Sequence, residues 1–178
     1  MKKTLITAFI LCSLFSINVS AQTTSSGESY GKTLNVGLGI GGYYGYYSYV
    51  GQTMPVFHLD YEFDVANNFT LAPFVTFYSY RNRDYRETVI PIGGKGTYYF
   101  DQILNANSNW DFYLAGSLGF AIVNVAWDSD YYGDHDYYNR GNPMFFDFHI
   151  GTEYHFNSRL GIFLDLSTGV STIGLAIH

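Results

Sequence analysis

The chain has 178 residues, with 15 acidic side chains against nine basic ones, a formal charge of −6, and a single cysteine. An acidic chain argues against a nucleic-acid partner, and one Cys12 inside an apolar leader excludes a disulfide framework and thiolate metal chemistry. Aromatic residues make up 20% of the chain and charged residues only 13%, an unusual balance for a secreted water-soluble domain.

The chain opens with MKKTLITAFILCSLFSINVSAQ. Lys2 and Lys3 precede a mostly apolar run from Leu5 to Ile17, and Val19 and Ala21 are small residues of the kind a signal peptidase reads. Residues 1–21 are therefore expected to be a signal peptide cleaved after Ala21; the apolar run is too short for a retained spanning helix. Cleavage takes away two bases and no acid, leaving 157 residues at a formal charge of −8, the length of one domain. Residues 22–31, QTTSSGESYG, are small and polar and read as a flexible lead-in to a domain over 32–178.

From there period-two alternation recurs and helical periodicity is almost absent. TLNVGLGIG places Leu34, Val36, Leu38 and Ile40 on one face and Asn35, Gly37 and Gly39 on the other. VFHLDYEF sets Phe57, Leu59, Tyr61 and Phe63 against His58, Asp60 and Glu62. LAPFVTFYSY alternates less cleanly, VIPIGGKGTYYF sets Ile90, Ile92 and Tyr98 against Lys95, Thr97 and Tyr99, and WDFYLAGSLGFAIVNV sets Leu114, Leu118 and Phe120 against Tyr113, Ala115 and Ser117. FFDFHIGTEYHF, RLGIFLDLS and STIGLAIH complete eight segments, each about long enough to cross a bilayer at a tilt. Connections after the second, fourth and sixth segments are free of aromatics. Those after the first, third and fifth are rich in tyrosine or charge, and the first and fifth are the longest, which is the asymmetry of a membrane barrel.

Two closed eight-stranded architectures fit: a soluble barrel with its apolar face inside, or a membrane barrel with that face turned to lipid. The polar face is rich in Gly, Ala, Ser and Thr, suited to a narrow interior and ill suited to a water-facing surface. Aromatic pairs at segment ends, Tyr61 and Phe63, Tyr98 and Phe100, Trp110 and Phe112, Tyr154 and Phe156, fit interfacial girdles at both rims. The expected fold is therefore all-β, an eight-stranded antiparallel up-and-down transmembrane β-barrel with the apolar stripe outward. Pro73 and Pro91 each forfeit a ladder hydrogen bond where no edge exists to hide the loss, so bulges are expected at both. Gly151 on the inner face reads as tolerant of serine.

On the stretches LAPFVTFYSY (71–80), VIPIGGKGTYYF (89–100) and STIGLAIH (171–178), the chain resembles the small outer-membrane β-barrel proteins of Bacteroidota, related in shape to the OmpX and OmpA transmembrane-domain group. It differs from them in closing on Ile177-His178 and not on an aromatic residue. The resemblance implies a bacterial outer-membrane location and roles such as surface adhesion, membrane integrity or small-solute passage, without choosing among them.

Two groups of residues are candidates for function. His58, Asp60, Glu62, Lys95, Asp147, His149, Glu153, His155 and Asp165 face the expected lumen, with Lys95 their one fixed cation. They read as a hydrogen-bonded polar filling. Glu153 and His155, two apart, are near enough to share an ion, but alternation alone generates such neighbours, so no metal and no cofactor is assigned. The second group lies in the tyrosine-rich connections: Tyr43, Tyr44, Tyr46, Tyr47 and Tyr49, then Asp128, Asp130, Tyr131, Tyr132, Asp134, Asp136, Tyr137 and Tyr138. Their acid spacing is not that of a calcium-binding loop, whereas tyrosine offers contact area at low entropy cost, which suits a surface protein or glycan partner. No Ser-His-Asp grouping is visible along the chain, and no enzyme is expected. The reading is a monomer in outer-membrane lipid with a structural or adhesion-like role; the alternative is a small-solute channel or pH-gated plug built on the lumen acids and histidines.

Overall fold

The computed structural model describes residues 29–42, 55–81, 85–127 and 144–178. The expected signal peptide and all thirteen tyrosine-loop candidates lie outside these residues. Eight strands run β1 (Thr33–Gly41), β2 (Val56–Ala66), β3 (Phe69–Arg81), β4 (Tyr85–Tyr99), β5 (Trp110–Trp127), β6 (Met144–Asn157), β7 (Leu160–Ser167) and β8 (Val170–Ile177). One short helix, α1 (Asp101–Leu104), sits between β4 and β5. Each strand pairs antiparallel with the next, and β1 pairs with β8 from Leu34–Ile177 to Gly41–Val170, so the sheet closes into an up-and-down barrel.

The alternation read from sequence is the alternation of the wall. Val36, Leu38, Phe57, Leu59, Leu114, Phe148, Ile150, Leu164 and Ile173 are exposed, whereas Asn35, Asp60, Thr76, Lys95, Ser117 and Asp165 are buried. A belt of exposed Leu, Ile, Val and Phe around a charged interior is the inverse of a soluble barrel and fits a hydrocarbon surround. No described helix is long and apolar enough to cross a membrane, which says nothing of a β-barrel, whose strands would be the crossing elements.

The four aromatic pairs gather at one rim, the end with the short turns, where Trp110 stacks on Phe112 and Tyr154 lies 4.8 Å from Trp110 and 5.5 Å from Phe156. They do not divide between the two rims. The other end carries Phe57 opposite Phe77, with Phe120 on β5. The third connection also differs from expectation. Tyr85 to Thr88 already belong to β4, with Arg86 opposite Arg81, so the connection narrows to residues 82–84.

Neither proline makes a bulge. Along β3 and β2 the register is the same on both sides of Pro73, but the Tyr61–Pro73 and Glu62–Ala72 pairs are missing. Along β4 and β3 the Thr76–Pro91 and Phe77–Ile90 pairs are likewise missing with no register change. On its other flank each proline remains in the ladder, opposite Gly94 and Ala121 respectively. A proline lacks one N–H, so it opens the ladder on one side only, and continuous pairing on the other side holds the strand in place. The register shifts fall instead at Asp64–Ala66 and His155–Asn157, next to the short turns.

The lead-in is not loose up to Gly31. Ser29 Oγ donates to Asp64 (2.7 Å), the Gly31 amide donates to the same carboxylate (2.8 Å), and the Lys32 amide reaches Glu62 O (2.7 Å). Tyr30 is buried and stacks on Tyr99 with 4.1 Å between ring centroids. This short segment therefore closes one end of the lumen.

Lipid-facing orientation gives a direct expectation. Phe148 is 63% exposed near the middle of β6; Phe148→Arg should lose ~2–4 kcal/mol in folding titrations from urea into lipid vesicles, while Phe148→Leu loses far less. Were this belt in contact with water, arginine would be tolerated as well as leucine.

Candidate functional site: a filled polar lumen

The lumen is built in three layers. At the end bearing the long connections, Val56, Tyr78, Val89 and Ala121 form an apolar cluster, with Val123, Phe145 and Val170 packed against it. In the middle lies a network of charge. Toward the short turns Tyr30, Tyr99 and Tyr113 pack together, Tyr99 and Tyr113 with 5.6 Å between ring centroids.

The network arises because β2, β4 and β7 each place an acid or a base on the inward parity at the same height. Lys95 Nζ donates to Asp60 Oδ2 at 3.0 Å and lies 3.7 Å from Glu62 Oε1 and 3.9 Å from Asp165 Oδ2. Among the described residues Lys95 is the one fixed cation joining these three carboxylates. Each carboxylate has further donors. Asn35 donates to Asp60 (2.9 Å) and Glu62 (3.2 Å), and Glu62 also accepts from Thr70 (2.6 Å) and Tyr99 (2.8 Å). Asp165 accepts from the Tyr113 hydroxyl at 3.1 Å. Burying an ion costs several kcal/mol, and only a full set of partners offsets that cost.

Two histidines extend the network. His58 Nε2 contacts Asp60 Oδ2 at 2.9 Å and its Nδ1 contacts Thr76 Oγ1 at 2.8 Å. His149 Nδ1 contacts Asp165 Oδ1 at 2.7 Å and its Nε2 contacts Ser117 Oγ at 2.9 Å. Asp147 stands apart, accepting from Thr168 at 3.0 Å near the apolar layer. Glu153 and His155 lie at the short-turn mouth, His155 Nε2 against Asp111 Oδ2 at 2.8 Å. The nine lumen candidates thus divide into a central set, Asp147, which lines the same small cavity without a hydrogen bond to the network, and a mouth pair.

Several partners were not singled out in the sequence, among them Asn35, Ser117, Asp111 and His178. Asn35 and Ser117 share the inward parity with the acids but carry no charge to draw notice. Asp111 looks like a strand-end residue. His178 follows the last strand and turns inward: Nε2 meets Glu153 Oε1 at 2.8 Å and Nδ1 meets Thr33 Oγ1 at 2.9 Å. Its parity with Thr172 and Ala176, both buried, was the available signal. Outside the strands, burial raises the Asp101 carboxyl above its usual range, while the Tyr30 hydroxyl, donating at 3.0 Å, acts in the opposite sense.

Ser117, His149 and Asp165 form the Ser-His-Asp arrangement that the sequence order concealed, one residue from each of three strands. Hydrogen-bond geometry alone does not make a hydrolase. Ser117 is 3% exposed and faces a cavity of about 30 Å³, room for ~2 waters and no ester. The ladder of β5 is uninterrupted on both flanks here, so its amides are committed and none is aimed at an oxyanion.

Gly151 also departs from expectation. A Cβ there would meet the ring and hydroxyl of Tyr113, so a side chain would displace the tyrosine from Asp165. Serine is not mild at this position.

No family model matches the chain, and no curated protein matches it. Among solved structures it is similar to a de novo designed transmembrane β-barrel, with a TM-score of 0.48 at 15% identity over 84% of this chain and 98% of that one. It is also similar to Neisserial surface protein A, with a TM-score of 0.45 at 12% identity over 82% and 92% of the two chains. At this level of likeness the fold rests on the closed ladder and the exposed belt described above.

Two outcomes follow from the filled lumen. Lys95→Met should lose ~3–5 kcal/mol in urea titrations, because it strands three buried carboxylates. Adding Asp60→Asn should cost less than the sum of the two single losses, since the residues share one network. A fluorophosphonate probe should leave Ser117 unlabelled in the folded protein; stoichiometric labelling at Ser117, read by mass spectrometry, would establish a working nucleophile.

Proposed function

We propose that this chain is a bacterial outer-membrane barrel of the OmpX/OmpA transmembrane-domain type, exported by its signal peptide. In this reading it acts non-enzymatically as a structural or surface-contact protein in outer-membrane lipid. The observation that carries the reading is the filled interior. Eight strands enclose a space about wide enough for side chains, and here Tyr78, Tyr99, Tyr113 and Phe163 are all buried within it around the Lys95 network. A barrel closed at its centre offers its partners only its rims. The connections holding Tyr43 to Tyr49 and Asp128 to Tyr138 supply aromatic and acidic groups suited to a surface protein or glycan, and buried rings of this kind typically contribute ~2 kcal/mol or more each.

A pH-gated plug is the second reading. It is favoured by one observation: His58 and His149, each bonded to a network carboxylate, line the same small cavity.

Two measurements separate the readings. Planar-bilayer recordings of the purified barrel should show no steady conductance at neutral or acidic pH, and cells carrying a 128–142 deletion should lose surface adhesion while keeping a folded barrel. Conductance that opens on acidification, with adhesion unchanged, would instead support the plug.

A further inference from the structure

The short-turn mouth holds a group of side chains that the surface-contact reading does not use. We propose that Glu153, His155 and His178 form a binding site for a divalent transition-metal ion of the zinc class. One ligand atom from each lies within 4.8 Å of the others. His178 Nε2 is 2.8 Å from Glu153 Oε1, His155 Nδ1 is 3.7 Å from the same oxygen, and the two imidazole centroids are 4.8 Å apart.

The fold brings these residues together in a specific way. Glu153 and His155 are successive inward residues near the end of β6, while His178 follows β8, with β7 between them. The His178 amide donates to Arg159 O at 3.0 Å, which extends the β7–β8 ladder by one rung and fixes where the ring begins. On β7 the intervening inward residue is Gly161. A Cβ there would collide with Glu153 Oε1, so the missing side chain is what lets the carboxylate cross over β7 to reach His178.

The remaining ring nitrogens are held from outside the cluster. His155 Nε2 contacts Asp111 Oδ2 at 2.8 Å. His178 Nδ1 contacts Thr33 Oγ1 at 2.9 Å, and the Thr33 hydroxyl gives its own hydrogen to Tyr30 O at 3.0 Å. With the Thr33 hydroxyl donating to Tyr30 O, Thr33 accepts from the His178 Nδ1–H, and the Asp111 carboxylate accepts from the His155 Nε2–H. In neutral imidazoles these protons leave the lone pairs of His178 Nε2 and His155 Nδ1 directed at the Glu153 carboxylate. Three electron-pair donors then converge on one space, an arrangement that calls for a proton or a cation between them. A carboxylate behind a ligating histidine is also the usual outer support of a metal site.

Two nitrogens and one oxygen are a donor set suited to zinc, copper or nickel, and less suited to magnesium or calcium. Tetrahedral ligand bonds of ~2.0–2.2 Å set donors ~3.4 Å apart, so the 2.8 Å contact of His178 with Glu153 must open slightly and His155, at 3.7 Å, must move in, which the two partly exposed rings can do by rotating. The cluster opens into a cleft of about 280 Å³ lined by Tyr30, Asn109, Asp111, His155 and His178, which leaves the fourth position to water.

The test is Zn²⁺ titration of the full folded barrel in detergent micelles by calorimetry, with the strand signal in circular dichroism confirming the fold of every variant. The expected result is one Zn²⁺ per chain, uptake abolished in His178→Ala and in His155→Ala, and affinity lowered ~10–100-fold in Asp111→Asn. Gly161→Ala should weaken uptake by displacing Glu153, and His135→Ala should leave it unchanged. Cobalt substituted for zinc should give visible absorption bands that vanish in His178→Ala. No Zn²⁺ uptake by the folded parent, or uptake that persists in both histidine variants, overturns the proposal.

Discussion

Inside hydrocarbon an unpaired backbone amide or carbonyl has no water to turn to, and each costs several kcal/mol. A sheet that crosses the membrane must therefore close, and in this chain the β1–β8 ladder is the closing seam. The other features follow from that constraint. Strands must alternate, because one face meets lipid and the other a space too narrow for solvent. Prolines must sit where one flank of the ladder can be lost without moving the strand, as Pro73 and Pro91 do. Among the described residues the register shifts fall at the short-turn rim, where water and the headgroup region can satisfy freed groups.

Closure creates a second problem, since the interior of an eight-stranded barrel must be filled. This chain fills it by layers: an apolar cluster, a charged centre and a tyrosine stack sealed by Tyr30. The charged centre is the costly layer. Lys95 stabilises it only because Asp60, Glu62 and Asp165 are each also supplied by neutral donors from β1, β3, β4 and β5. Such a network ties strands on opposite sides of the barrel together through its axis. It adds specificity that the outward belt, a largely uniform apolar surface, does not supply.

Much of this was legible in the sequence because the side-chain period of a strand is two and one face is under strong selection by its solvent. The run from Phe146 to His155 assigns its own inside and outside. What it did not carry was height along the axis, the quantity that decides which inward residues meet. Ser117, His149 and Asp165 come from separate strands, and only the register between β5, β6 and β7 brings them into line. The same holds for Gly151, whose neighbour across the ladder is Tyr113, and for Gly161, whose absent side chain makes room for Glu153. His178 was missed for a simpler reason: its parity was clear, but its position past the last strand obscured it. The proline expectation failed because it weighed the lost hydrogen bond without the opposite flank that keeps the register.

The central claim is that one face of each strand lies in lipid and the other in a packed interior without a water path. Nuclear Overhauser measurements on the protein in lipid nanodiscs test it without any substitution. Acyl-chain protons should give cross-peaks to Phe146, Phe148, Ile150, Leu164 and Leu166, and none to Asp147, His149 or Asp165. Water cross-peaks should be confined to the mouths and the small central cavity. A continuous series of water contacts from Glu153 through Asp165 to Phe145, or water contacts along the Phe146–Ile150 face, would contradict the account.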